Sequence, residues 1–226
     1  MNATESVYSI TNWTEPSERI AINNCSLRSR SAAVRLGHLA SKVRNVILSN
    51  LIVHDSQRGI GVFAGDGGYV RNVLATNLIL ETRIVAGHWW GNGEPLVVSA
   101  ADSTGEIQDI SLAGVRARSE NGVVIWGHRR NIRDIQLVDW KLELGYGKNR
   151  PLLGKQIDLQ PAKTRPAPDA RQHIPWLTVC DTGEVRVRHV RRGRGPNESA
   201  SFRTDAMVEQ AHLIEADVYE THVEPS

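Results

Sequence analysis

The chain has 226 residues, and 27 Lys and Arg against 25 Asp and Glu leave a formal net charge of +2. That near-balance makes no case for a nucleic-acid partner, and no apolar run approaches the length of a membrane span, so no membrane is expected. The two cysteines, Cys25 and Cys180, fit no zinc or redox spacing and read as free thiols; neither a metal nor a cofactor is expected.

The length suits a single domain, residues 1–226, able to bury a good core. The first stretch, Met1 to Pro16, is polar and holds no apolar leader segment. From there the sequence repeats. Ile20 to Leu27 and Ala33 to Gly37 are short β-type words. Val43-Arg44-Asn45-Val46 opens a run to Val53, and Gly59 to Phe63 follows. The same Val-Arg-Asn-Val word returns at Val70, in a run ending at Leu80. Self-similarity at a period of about 20–50 residues marks a solenoid, propeller or array. Short apolar words cut by Gly and Asn favour strands.

Thr82 to Pro95 interrupts the rhythm with Gly87-His88-Trp89-Trp90-Gly91-Asn92-Gly93-Glu94. The words resume with Leu96 to Ser99, Ile107 to Val115, Gly122 to Gly127 and Ile132 to Trp140. Regular coils are thus expected over about residues 5–142, each with two or three short strands. Residues 145–175, rich in Pro, Gly, Lys and Arg, read as a long loop. Irregular coils are expected over 174–226, with strands at Trp176 to Val179 and Val185 to Val190. Arg191 to Ser199 reads as a basic turn, and helical periodicity is plausible around Asp205 to Glu215.

Asn24, Asn50, Asn77, Gly114 and Asp139 fall at matching corners of five words. These residue types tolerate left-handed backbone angles, and stacked amides at one corner can bond to the coils above and below. An isolated coil cannot close its own apolar face, so stacking supplies the core. The pattern therefore predicts an all-β fold, a parallel β-helix, right-handed because crossover handedness follows strand twist. With no capping helix before Ile20 and Ile22, the N-terminal end is expected to be an open coil, belonging to a larger piece or to one end of an assembly.

The words Asn24 to Ser29, Ala33 to Gly37 and Arg58 to Val62, in this order, resemble glycoside hydrolase family 28, the polygalacturonase-like β-helix enzymes. The likeness spans roughly Val7 to Asp139. It implies a pectin-lyase-like solenoid, hydrolysis of a galacturonan or related polysaccharide, and a secreted or periplasmic location. The family's Asn-Thr-Asp coil would lie before Met1. Its Asp-Asp pair falls near Thr4-Glu5-Ser6, leaving Glu5 as the substitute carboxylate. Its Gly-His-Gly and Arg-Ile-Lys motifs fall at Ser31-Ala32-Ala33 and Gly61-Val62-Phe63, without His or cation. An inverting mechanism needs an acid and a base with room for a water between them.

Period two places Val34, Leu36, Ile60, Val62, Leu96, Val98, Val123 and Ile125 inward. Arg35, Gly61, Phe63, Val97, Ser99 and Trp126 then face outward, on the face that serves the family as its substrate groove. Arg35, Arg58, Trp126 and His128 become candidate sugar contacts; the alternative is a solvated sheet face. His88, Trp89 and Trp90 would wall the groove, since indole faces suit the C–H face of a pyranose; alternatively one Trp plugs the loop onto the body. Glu94 and Asp66 are candidate acids or bases; alternatively Glu94 ties down backbone N–H groups and Asp66 only makes a turn. Two rivals to a polysaccharide hydrolase remain: a non-catalytic carbohydrate-binding or structural β-helix, and a polysaccharide lyase. The latter would need acidic Ca²⁺-binding clusters.

Overall fold

The computed structural model describes residues 15–86, 90–101, 103–145, 147, 176–194 and 206–221. The protein is all-β: among the described residues there is no helix, and every strand pairing is parallel. The strands are β1 (Ser17–Leu27), β2 (Ala32–Leu36), β3 (Lys42–Ser56), β4 (Arg58–Phe63), β5 (Tyr69–Thr82), β6 (Leu96–Ser99) and β7 (Glu106–Ser119). They continue with β8 (Val123–Trp126), β9 (Ile132–Leu144), β10 (Leu177–Cys180), β11 (Glu184–Arg194), β12 (Ala206–Glu209) and β13 (His212–Thr221).

The odd-numbered strands form a seven-stranded sheet in the order β1-β3-β5-β7-β9-β11-β13. The even-numbered ones form a six-stranded sheet from β2 to β12 in the same direction. The chain therefore crosses between the sheets at each step, and every strand pairs with the next of its own sheet. Val46, Val73, Ile110 and Ile135 lie in register across β3, β5, β7 and β9. One contiguous apolar core fills the space between the sheets, and all eight residues assigned inward by period two belong to it. At the β1 edge, Ile20, Ile22, Cys25 and Leu27 are only partly buried against this core.

Three expectations change. The paired short words of each repeat are not separate strands: they fuse into single strands such as β3 and β5. Residues in the left-handed region bend these strands without breaking the ladder. One such column is Asn24, Asn50, Asn77, Gly114 and Asp139, all at positive φ. A second, formed by Asn45, Asn72, Asp109 and Asp134, lies earlier in the same strands. Because the bends stack in register, each parallel ladder survives them. The amides link the rungs: Asn50 Nδ2 donates to Asn24 Oδ1 at 3.1 Å, Asn77 Nδ2 to Asn50 Oδ1 at 2.6 Å, and Asn72 Nδ2 to Asn45 Oδ1 at 2.8 Å.

The helix expected around Asp205 to Glu215 is absent. That stretch holds β12 and the start of β13, paired to β10 and β11. Open ladder edges on the preceding strands outweigh a weak helical spacing, because an unpaired sheet edge is an available template. Lastly, the basic turn expected from Arg191 is strand as far as Arg194, paired with β9 through Arg194 and Leu144. Of the loop expected at 145–175, all but Gly145 and Gly147 lies outside the described residues.

Candidate functional site on the outer face of the six-stranded sheet

The six-stranded sheet presents Arg35, Gly61, Val97 and Val124 in one register column and Phe63, Ser99 and Trp126 in the next. Gly61 matters here because of its missing side chain: a Cβ would come within 2.5 Å of the Phe63 ring. The ring therefore lies over Gly61. It packs with Val97 and Val124 as an apolar cluster separate from the main core, and Trp126 leans on that cluster.

Cations flank the ring. The Arg35 guanidinium lies 5.1 Å from the Phe63 centroid, and that of Arg58 lies 5.4 Å from it. Arg35 also stands 4.9 Å from the Trp90 ring centroid. All three distances are within the range where ring quadrupoles attract cations. Arg35 is oriented further by donating from Nε to the Gly37 carbonyl at 3.3 Å and from Nη2 to His38 Nδ1 at 2.6 Å.

Trp90 reaches this position because the insertion carrying it is tied down at several points. Gln57, wholly buried, donates from Nε2 to the Gly91 carbonyl at 2.5 Å and accepts from the Val85 amide at 3.0 Å. Thr82 donates to the Gly93 carbonyl at 2.7 Å, and Glu120 accepts from the Ile84 amide at 2.8 Å. Arg83, at the start of the insertion, pairs with Asp55, which also pairs with Arg28. The Arg83 hydrogen bond, with lesser help from the Arg83 and Arg28 charges, holds the Asp55 carboxyl below its ordinary range.

Glu94 lies beneath the platform rather than on it. It is 1% exposed and faces Arg58, itself 3% exposed, at 3.4 Å from both Nε and Nη2. It also accepts the Asn92 amide at 2.7 Å. Its carboxylate thus does what the alternative reading of the loop describes: it ties backbone N–H and a neighbouring cation. Asp66 sits in an exposed turn and accepts from the Thr104 amide at 2.7 Å and the Thr104 hydroxyl at 3.2 Å, joining one turn to the next. His128 belongs to a turn closed by Asn131, whose Oδ1 accepts the His128 amide at 2.7 Å. Glu5, His88 and Trp89 lie outside the described residues.

The structure therefore brings together Arg35, Arg58, Trp90, Glu94 and, at the edge of the apolar cluster, Trp126. It adds three residues not picked out as site residues from the sequence. Phe63 is the platform, Gln57 anchors the insertion, and His38 orients Arg35. The Gly-x-Phe spacing of Gly61 and Phe63 was a usable signal for the first. Gln57 and His38 carry no local pattern. The outer face is also less open than alternation implied, since Val97 is 0% and Phe63 6% exposed.

No group of three or more His, Cys, Asp or Glu among the described residues could hold a metal ion. Burial first, then the Glu209 and Asp181 charges, push the Cys180 thiol above its ordinary value, which disfavours the reactive thiolate. What the face offers chemically is the half-buried Trp90 ring with the Arg35 guanidinium against it, over a Phe63 ring that is itself buried. An indole face of this kind can stack on a ring's C–H face. No family model, no curated protein and no solved structure matches the chain.

Proposed function

We propose that this protein is a polysaccharide-acting right-handed parallel β-helix of the polygalacturonase-like type, and that it grips glycan on the outer face of the six-stranded sheet. The β-helix reading is supported by the strict alternation of strands between two parallel sheets and by the stacked left-handed corners. The observation that carries the glycan reading is the Arg35 guanidinium set between the Phe63 and Trp90 rings on one outer face. A half-buried indole ring with a cation held against it suits the C–H face of a pyranose.

Binding without turnover is the second reading, and a specific observation favours it. Glu94 and Asp66, the two described candidate acids, are both engaged in structural contacts. Hydrolysis then needs carboxylates other than these two, with Glu5 the remaining candidate from the sequence. Oligosaccharide binding by the wild type and by Trp90→Ala tests the gripping face. Loss of about tenfold in affinity with folding intact is expected, since cation–π and stacking terms are worth about 1–2 kcal/mol. Unchanged binding removes the face from consideration. Release of reducing ends from a panel of polysaccharides then separates a hydrolase from a binding protein.

A further inference from the structure

The bend of the seven-stranded sheet carries a second feature. Its amide ladder climbs from Asn24 through Asn50 to Asn77 and stops, because the next rung has Gly114. Above the gap Asp139 is engaged by His189, Nδ1 to Oδ1 at 3.2 Å. An open groove of about 560 Å³ lies over Gly114, bounded by Asn77, Asp139 and His189.

Beside the groove three cations stand in line. Arg116, Lys141 and Arg191 are register partners on β7, β9 and β11, and all three line the groove. Adjacent strands lie about 4.8 Å apart, so each cation faces a like charge, an arrangement that costs stability in a sheet. Elsewhere on this sheet arginines face carboxylates across the rungs: Arg44 meets Glu18 at 2.5 Å and Arg71 meets Glu106 at 2.6 Å. Here only Lys141 has such a partner, Glu143 at 2.8 Å, on its own strand. Among the described residues Arg116 and Arg191 pair with no carboxylate.

We propose that this groove binds a linear acidic polysaccharide lying across β7, β9 and β11, with its acid groups against Arg116, Lys141 and Arg191. Two observations choose a glycan over a nucleic acid. Among the described residues lining the groove there is no exposed Trp, Tyr or Phe platform for bases: Trp140 is buried, its Nε1 donates inward to the Leu112 carbonyl, and the exposed His189 ring is held by Asp139. The Asn77 amide and the Asp139 carboxylate beside the cations are suited to hydroxyls. This site lies on the other sheet from the Trp90 platform. It rests on the glycan reading above and extends it to a second surface, one that reads charge where the first reads ring faces.

The test measures affinity for polygalacturonate, for dextran sulfate and for duplex DNA in four proteins: wild type, Arg116→Ser/Arg191→Ser, Gly114→Asn and Trp90→Ala. Both arginines are exposed, and unchanged circular dichroism controls for folding. The expected result is a loss of about tenfold or more for an acidic glycan in the double variant, because charge-assisted hydrogen bonds are removed. A loss is also expected in Gly114→Asn, which puts a side chain into the groove floor and keeps every cation, while Trp90→Ala retains the groove's share of binding. The carboxylated and sulfated polymers show which acid group is preferred. Wild-type affinity in both groove variants overturns the proposal, as does a wild type that binds neither acidic polymer. DNA bound more tightly than either glycan, through the same arginines, overturns the ligand class. Loss in Trp90→Ala alone overturns the groove and leaves the platform reading standing; loss in the groove variants alone does the reverse.

Discussion

Arg58 and Glu94 form an ion pair at 3.4 Å in which each side chain is almost wholly removed from water. The two come from different repeats, Arg58 from the start of β4 and Glu94 from the end of the Trp90 insertion. The pair joins the loop to the sheet, and Arg58 in turn flanks the Phe63 platform. Breaking a buried pair by removing one partner leaves an uncompensated charge. Such a change typically costs about 3–5 kcal/mol. Glu94→Gln is therefore expected to lower the urea unfolding midpoint strongly and to loosen the insertion. A Glu94→Gln protein of wild-type stability with abolished turnover would instead return Glu94 to the role of catalytic acid.

The platform makes a separate prediction through Gly61. A methyl group at this position meets the Phe63 ring at 2.5 and 3.1 Å, so the ring must move. Overpacking of this kind costs about 1–3 kcal/mol. Gly61→Ala is expected to fold with reduced stability and to lose glycan affinity, since the Arg35–Phe63–Trp90 arrangement is disturbed at its centre. Retained affinity, measured by calorimetry on the folded variant, would separate binding from the platform.

Acid sensitivity follows from Asp55. Its carboxyl is held below the ordinary value of 3.8, chiefly by the hydrogen bond from Arg83. A depressed folded value means a contribution to stability that is present above the unfolded pKa and is lost as pH falls through the lower folded value. Unfolding measured from pH 5 downward is expected to show stability falling in that window. In Arg83→Gln the fall should be shallower, with lower stability already at neutral pH. An identical acid limb in both proteins would show that the Asp55–Arg83 contact contributes nothing in solution.

Much of the architecture is legible because two physical signals repeat. Alternation placed Val34, Ile60, Leu96 and Val123 in the core, and the Val-Arg-Asn-Val word set the register of Val46 on Val73. The corners were readable from Asn and Gly types that accept positive φ. The Asn45–Asn72 column, inside that same word, was not singled out, although it bends the same strands in the same way. The site was legible only in part. Arg35 and Trp90 met as the outward face implied, yet the fate of Glu94 depended on Arg58, 36 residues away in sequence, and no local pattern encodes that meeting. The stretch from Asp205 shows the converse: a spacing compatible with helix yields to sheet once β10 and β11 offer edges to pair with.

The interrupted amide ladder yields the last prediction. Asn50 and Asn77 each donate to the amide one rung below. They also hold a left-handed conformation that costs an ordinary residue about 1–2 kcal/mol and costs Asn less. Asn50→Ala removes both advantages, and a loss of about 1–3 kcal/mol is expected. At Gly114 an amide is expected to stabilise. Its φ is +66, suited to Asn, and the atom nearest a new Cβ is Asn77 N at 3.6 Å, an ordinary contact. Gly114→Asn restricts the unfolded chain and lets a new amide donate to Asn77 Oδ1, extending the ladder by one rung. A gain of about 0.5–1.5 kcal/mol is expected. Gly114→Ala fits the same space with no amide, and its Cβ makes positive φ unfavourable, so it should destabilise. The decisive measurement is the sign of the difference between these two variants in urea unfolding. Asn above glycine and Ala below it supports the ladder as a stabilising device. Asn and Ala shifting stability equally would mean that backbone conformation alone governs this corner and the stacked amides contribute nothing.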